Sequence, residues 1–316
     1  MGEPLPAKLL PPPTSSVWPR DRLFEELDDA LGACQMLWIS ASPGAGKSAL
    51  IASYLREHDL HALWYRIDDD DLDPSIIFRG LSLASGGAAL PEYAAESPAD
   101  LGAFARRYFE LFFRCLPPGT VLVFDDFVLL PESPLCELLQ AARCRLLDGM
   151  KLIVISRDAP PAMYARLHAD GSMAVLDGSI LRLTVDEAAA LAGVSFGTGS
   201  DISSESISLA HDLADGWITG FLLILESIRA GSLPLPQSAL PNEWVLFDYL
   251  TCEVLGRLDC EERNLLLKVA LLPVVPLDAV EAITGNTGMI LERLHRRHGS
   301  FIRSSSGSNP SYIFSQ

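Results

Sequence analysis

Cations are scarce in this chain. Its 316 residues carry 24 Lys and Arg against 41 Asp and Glu, a formal net charge of −17 at pH 7 with histidine neutral. That surplus repels a phosphate backbone over any broad surface, and no basic run interrupts it. The sequence therefore argues against direct nucleic-acid binding by this segment. The six cysteines, Cys34, Cys115, Cys136, Cys144, Cys252 and Cys260, form no CxxC pair and have no metal-ligand spacing. They read as free thiols among apolar neighbours in a reducing compartment. No apolar run approaches a membrane span, and the N-terminal MGEPLPAKLLPPP lacks the apolar centre of a secretory signal. The expectation is a cytoplasmic protein without membrane contact. With 49% hydrophobic and 21% charged residues, the composition is that of a globular chain long enough for two or three domains.

The organising stretch is ASPGAGKS, Ala41 to Ser48. It follows the apolar run QMLWI (residues 35–39) and precedes a helical segment, Ala49 to Arg56. Strand, glycine-rich loop and helix in that order predict a phosphate-binding loop. Gly44 and Gly46 permit backbone conformations that a Cβ hinders, so successive N–H groups can turn around an anion. The phosphate-contacting run is Pro43, Gly44, Ala45, Gly46, Lys47, Ser48 and Ala49. Lys47 supplies a charge for the β and γ phosphates, and the Ser48 hydroxyl suits Mg²⁺. The pattern normally opens on Gly, and Ala41 stands there instead, still small.

A second signal is TVLVFDDF, residues 120–127, an apolar strand ending in Asp125 and Asp126. A buried parallel strand that delivers two carboxylates to its C-terminal end fits a Walker B element. One acid orients Mg²⁺, and the next polarises a water. KLIVISRD (151–158) is another buried strand, ending in Ser156 and Arg157 on the same edge, where an arginine can sense a γ-phosphate. With ALWYRID (62–68) and a strand within MAVLDGSILRL (173–183), residues 17–183 read as β-α repeats. The predicted fold is an α/β parallel sheet with helices on both faces.

Residues 1–16 are proline-rich and read as an extended arm rather than a folded element. Leu23, Leu27 and Leu31 recur at helical spacing after Arg20 and Asp21, which lie where the chain could meet a nucleotide base. Asp69, Asp70, Asp71 and Asp73 lack the alternation and central glycine of a calcium loop and read as a solvated acidic loop. From Thr184 helices dominate, opening on the capping box Thr184-Val185-Asp186-Glu187. Residues 184–230 form a helical domain broken at Asp215-Gly216, and 231–243 a linker. Residues 244–316 contain four helices, one of them from Asp259 to Leu272, and a hairpin of FIRSS and SYIFS. That order predicts a winged helix cut at Gln316.

Taken together, KLLPPP, VWPRDRL, ASPGAGKS, VFDDF, VISRDAPP, LRLTVDEAAAL, ADGWITGF and FDYLTCEVL resemble, in family order, the MalT-type STAND ATPases of bacterial transcriptional activators in the LuxR family. The resemblance implies ATP/ADP and Mg²⁺ as cofactors. It implies Lys47 and Ser48 on phosphate and Mg²⁺, Asp125 on Mg²⁺, Asp126 on water, Arg157 at the γ-phosphate, and Arg20 and Trp217 beside the base. A histidine that reads the nucleotide from the winged helix in many members is replaced here by Ser315. The module implied is a switch, ADP-bound at rest and self-associating with ATP, with slow hydrolysis. Sensor and DNA-binding domains are expected beyond Gln316. The rival readings are an AAA-like remodelling ATPase and a nucleotide-binding scaffold without turnover.

Overall fold

The computed structural model describes residues 5–14, 17–87, 89–93, 101–127, 134–196, 202–229, 260–269, 275–276, 302–305 and 311–314. The chain divides into two compact units, Met1–Ser40 with Lys47–Leu176 and Ala41–Gly46 with Asp177–Gln316.

The first unit begins with a 3₁₀ turn at Ala7–Leu9, followed by α1 (Asp21–Ala33) and β1 (Met36–Ser40). Leu23, Leu27 and Leu31 of α1 are buried at the predicted spacing, and all five residues of β1 are buried. Next come α2 (Lys47–Glu57), β2 (Ala62–Arg66), α3 (Pro74–Ala84) and α4 (Leu101–Arg114). Asp73 caps α3 by accepting from the Ser75 N–H at 2.9 Å, with Pro74 in the first turn where its missing donor costs nothing. The unit closes with β3 (Val121–Phe127), α5 (Leu135–Arg143), β4 (Lys151–Ser156), α6 (Ala165–Ala169) and β5 (Met173–Asp177).

Five strands form one sheet in the order β2-β3-β4-β1-β5, with β1–β4, β3–β4 and β2–β3 paired in parallel. Successive strand residues face opposite sides, so the unbroken burial of β1 and of Leu152 to Ser156 in β4 requires cover on both faces. Tyr108, Phe109, Phe112 and Phe113 of α4 supply an aromatic wall to this core beside Phe78 and Phe124. The expected α/β parallel sheet is present.

Two expectations for this unit are corrected. Residues 1–16 are not an extended arm throughout, because Ala7–Leu9 forms a turn and Leu9 is buried in the core. The acidic run is not simply solvated either. Asp71 is fully buried within the 3₁₀ turn Asp69–Leu72 and forms a reciprocal capping box with Asp68. The Tyr65 hydroxyl donates to its Oδ1 at 2.6 Å, and the Lys8 ammonium donates to both its oxygens at 3.0 Å. Lys8 also reaches Asp68 at 2.9 Å. The cluster is a structural ion network rather than a cation loop, and it ties the N-terminal turn to the segment after β2.

In the second unit, Thr184 caps α7 (Val185–Phe196) through the predicted capping box. The Glu187 N–H donates to Thr184 Oγ1, and the Thr184 N–H to Glu187 Oε2. Helices α8 (Ser204–Ala214) and α9 (Ile218–Arg229) follow. Between them Asp215 and Gly216 adopt left-handed φ of 49° and 73°. A Cβ on Gly216 would lie 3.0 Å from the Leu183 carbonyl oxygen, so both conformation and space call for glycine there. Ala188, Ala192, Ala210 and Ala214 let these helices approach closely around Phe221, Ile224 and Leu225. Beyond them stand α10 (Cys260–Val269) and a three-stranded antiparallel sheet. Its strands are β6 (Val275–Pro276), β7 (Ile302–Ser305) and β8 (Ser311–Phe314), in the order β6-β8-β7. The hairpin strands match expectation, and β6 was not foreseen. The linker 231–243, the expected helices around 244–258, 277–285 and 287–299, and Ser315 lie outside the described residues.

Candidate functional site

In the first unit the site is built at the C-terminal ends of β1, β3 and β4, where a parallel sheet opens its ligand crevice. Lys47, Ser48 and Ala49 form the first turn of α2, the helix end whose partial positive charge favours an anion. The Ser48 hydroxyl donates to Asp125 Oδ1 at 2.7 Å, which brings the two residues expected to hold Mg²⁺ into direct contact. The other oxygen, Asp125 Oδ2, is buried and accepts no hydrogen bond. Burial pushes the Asp125 carboxyl above its ordinary range; the Ser48 bond pulls it down, and the neighbouring Asp126 charge pushes it further up.

Asp126 occupies a bulge. Phe124 pairs with Val154 and Phe127 with Ser156, so β3 carries one residue more than β4 over this interval. Asp126 takes the extra position with a left-handed φ of 55°, and its N–H donates to Asp125 Oδ1 at 3.0 Å. The bulge lets consecutive residues of one strand present both carboxylates. Asp126 Oδ1 lies 4.0 Å from Arg157 Nη2 at the end of β4. Ser156, just before it, donates to the Phe127 carbonyl at 2.7 Å and accepts from the Asp158 N–H, which fixes the strand end that carries Arg157.

Lys47 is buried, and its pKa is pushed down to about 8. The largest cause is desolvation, followed by the like charge of Arg157, with Asp126 and Asp125 acting in the opposite direction. The structure thus brings Lys47, Ser48, Asp125, Asp126 and Arg157 together. Arg20 is buried just before α1, its carbonyl accepting from the Leu23 and Phe24 N–H groups.

In the second unit, residues 41–46 form the glycine-rich loop. Ala41, Ser42 and Ala45 are buried, and Gly44 and Gly46 take positive φ of 75° and 83°. Those two conformations explain the loop's glycines directly. Trp217, expected beside the base, donates its indole N–H to the Pro43 carbonyl at 3.0 Å. Thr219 donates to the Gly44 carbonyl through both its N–H (3.2 Å) and its hydroxyl (3.0 Å). In a trans peptide the N–H lies opposite the C=O, so binding the Pro43 and Gly44 carbonyls turns the Gly44 and Ala45 N–H groups away from Trp217 and Thr219, the Ala45 N–H donating to the Ser42 carbonyl at 3.4 Å. Thr219 was missed from sequence, although GWITG held the clue that a loop-anchoring hydroxyl stood beside the tryptophan.

The tether can be tested alone. Trp217→Phe keeps a ring but removes the donor, and it is expected to cost about 1 kcal/mol. Hydrogen exchange at the Ala45 and Gly46 amides should quicken about fivefold, which is what 1 kcal/mol of local opening means. Unchanged exchange at those amides would show that the indole does not restrain the loop.

A fit for nucleotide and Mg²⁺ can be judged from these residues. A buried carboxylate oxygen without a hydrogen bond and a hydroxyl beside its partner oxygen are hard oxygen ligands suited to Mg²⁺, and a buried ammonium suits polyphosphate. Mg²⁺ takes only one or two protein oxygens at such sites, the rest coming from phosphates and water. Among the described residues no group of three or more His, Cys, Asp or Glu could hold a metal ion by itself. Among them, too, no helix is long and apolar enough to cross a membrane.

No family model matches the chain. Individual relatives do. The HTH-type transcriptional regulator MalT of Serratia proteamaculans is 28% identical over 308 residues, 93% of this chain and 33% of that protein. The MalT of Cronobacter sakazakii is 29% identical over 298 residues, 90% of this chain and 32% of that protein. The chain therefore spans about a third of the length of the curated relatives it matches. Among solved structures, a Walker-type ATPase of Pyrococcus abyssi aligns with a TM-score of 0.56 at 14% identity, over 95% of this chain and 94% of that one. At that identity it speaks to the fold alone. Sequence relatives and fold agree: the chain has the α/β fold of P-loop NTPases, and its MalT-type resemblance runs along nine-tenths of its length.

Proposed function

We propose that this chain is the nucleotide-dependent switch module of a transcriptional regulator, binding ATP and ADP with Mg²⁺ in the cytoplasm. The observation that carries the reading is the convergence of Lys47, Ser48, Asp125, Asp126 and Arg157 at one end of the sheet. Lys47 binds the β and γ phosphates, and nucleotide binding restores the full charge that burial discourages. The peptide N–H groups of Gly44, Ala45 and Gly46 and of the first turn of α2 are assigned to the phosphates. Ser48 and Asp125 hold Mg²⁺, which when bound neutralises charge between the phosphates. Asp126 accepts a hydrogen bond from the attacking water, and Arg157 answers to the γ-phosphate. Arg20 and Trp217 are assigned to the base side.

ADP marks the resting state and ATP the state that self-associates, with slow hydrolysis returning one to the other. Such a switch needs a difference in affinity of the two nucleotides for two conformations. The net charge of −17 supports leaving DNA contact to domains outside these 316 residues. The test is equilibrium titration with labelled ATP and ADP, combined with mass measurement of each complex. Expected are binding of both nucleotides, a larger assembly with a non-hydrolysable ATP analogue, and turnover slower than about 1 s⁻¹, below the ordinary enzymatic range. Fast turnover with identical mass in both states would favour a remodelling ATPase instead.

A further inference from the structure

Arg66 has no place in the phosphate-loop pattern, yet it is the residue of β2 in register with Asp125 of β3. The Ile67 N–H, just beyond it, donates to the Asp125 carbonyl at 2.8 Å, fixing the two strand ends side by side. From there Arg66 Nε lies 3.7 Å from Asp125 Oδ2 and 3.8 Å from Asp126 Oδ2. One guanidinium thus stands against both carboxylates of the acid pair. It faces the Asp125 oxygen that accepts no hydrogen bond, while Ser48 and the Asp126 N–H occupy the other.

The acids differ in surroundings, since the Asp125 side chain is fully buried whereas those of Asp126 and Arg66 are each 46% exposed. A buried carboxylate next to a second one is costly unless a cation offsets it. Arg66 serves both at once from the solvent side, and Arg157 approaches Asp126 from its other oxygen. At 3.7 to 3.8 Å these are ion pairs rather than hydrogen bonds, so the guanidinium can shift without unmaking a directed contact.

We propose that Arg66 is a positioning residue that acts as counter-ion to the Asp125–Asp126 pair and thereby sets the Mg²⁺ concentration at which the site loads. Resting on the nucleotide reading above, this deepens it. A divalent cation drawn to Asp125 and Ser48 must enter a field that Arg66 has partly neutralised. The arginine therefore weakens Mg²⁺ loading while keeping the acid pair in place when no Mg²⁺ is bound.

The experiment uses the whole chain and a fluorescent ATP analogue, titrated with MgCl₂ from a chelator-buffered start. Wild type, Arg66→Gln and Arg66→Lys are compared, with thermal melts to verify folding; the half-exposed side chain makes misfolding avoidable. Removing the charge in Arg66→Gln is expected to lower the half-saturating Mg²⁺ concentration about three- to tenfold, as for one screened charge a few ångströms away. Arg66→Lys, which keeps the charge, should stay within about twofold of wild type. An unchanged midpoint in Arg66→Gln, with analogue still bound, overturns the inference and leaves the nucleotide site standing. Loss of analogue affinity in chelator with an unshifted midpoint overturns it too, since Arg66 would then be a phosphate contact. If wild type binds no analogue at any Mg²⁺ concentration, the nucleotide reading fails and this inference falls with it.

Discussion

Lys47→Met is expected to weaken ATP and ADP binding by at least about 100-fold, the weight of a buried charge-assisted phosphate contact, while making the nucleotide-free chain more stable. Both effects follow from one fact: the ammonium is buried, with its pKa pushed down to about 8 from 10.5. At about 1.4 kcal/mol per unit, that displacement corresponds to roughly 3 kcal/mol of cost at neutral pH. Methionine has similar length and no charge to desolvate. That displacement is already net of the attraction to Asp125 and Asp126, and imperfect packing of the thioether where the ammonium stood offsets part of the gain, leaving an expected net of about 1–2 kcal/mol. Urea unfolding of the two chains without nucleotide measures it, and a less stable Lys47→Met would refute the strain.

The same displacement has a pH signature. Below about 8 the lysine is protonated whether the chain is folded or unfolded, and the folded state bears the full cost. Between about 8 and 10.5 the unfolded chain holds the proton that the folded chain has released. Unfolding then takes up protons, so this group's contribution makes stability rise with pH through that window. Nucleotide binding should show the opposite trend, because phosphates demand the charged lysine. Affinity should decline up to about tenfold per pH unit above 8, with proton uptake visible by calorimetry in buffers of different ionisation enthalpy. In Lys47→Met both trends should vanish.

Asp71→Ala is expected to destabilise the first unit by about 3–5 kcal/mol, the range for stripping one partner from a buried ion network. Asp71 is fully buried, and its loss removes the partner of the Tyr65 hydroxyl, both Lys8 contacts to its oxygens and the acceptor of the Asp68 N–H together. Lys8 is 22% exposed, and without it Asp71 still accepts from the Tyr65 hydroxyl and the Asp68 N–H, so Lys8→Ala should cost only about 1–2 kcal/mol. A double-mutant cycle in denaturant should give a coupling of about 1 kcal/mol or more between them. Additive effects would mean that the lysine and the buried aspartate do not depend on each other.

How much of this was legible depended on whether function or packing dictates the residue. Gly44 and Gly46 were readable because positive φ leaves few alternatives, and Lys47 and Ser48 because phosphate and Mg²⁺ dictate the donor types. The strand ends carrying Asp125, Asp126 and Arg157 were readable because apolar runs of strand length stop abruptly at polar residues. Arg66 was not, since its meaning arises from the register between β2 and β3, which no local pattern records. Nor was Asp71. Four neighbouring acids look solvated until Lys8, 63 residues upstream of Asp71, and the Tyr65 hydroxyl are brought to one of them. The bulge at Asp126 was equally hidden, because an aspartate in left-handed conformation looks like any other aspartate in the sequence.

The turn at Ala7–Leu9 also bears on how the chain is made. During synthesis Lys8 and Leu9 leave the ribosome well before Tyr65 and Asp71, the partners that hold them. Until β2 and the acidic turn emerge, the segment has nowhere to dock, and closing so long a loop costs entropy before any contact repays it. Leu9 therefore stays exposed to proteases and holdase chaperones through this interval. The acidic turn, once extruded, is the point at which the nascent first unit can draw its beginning in.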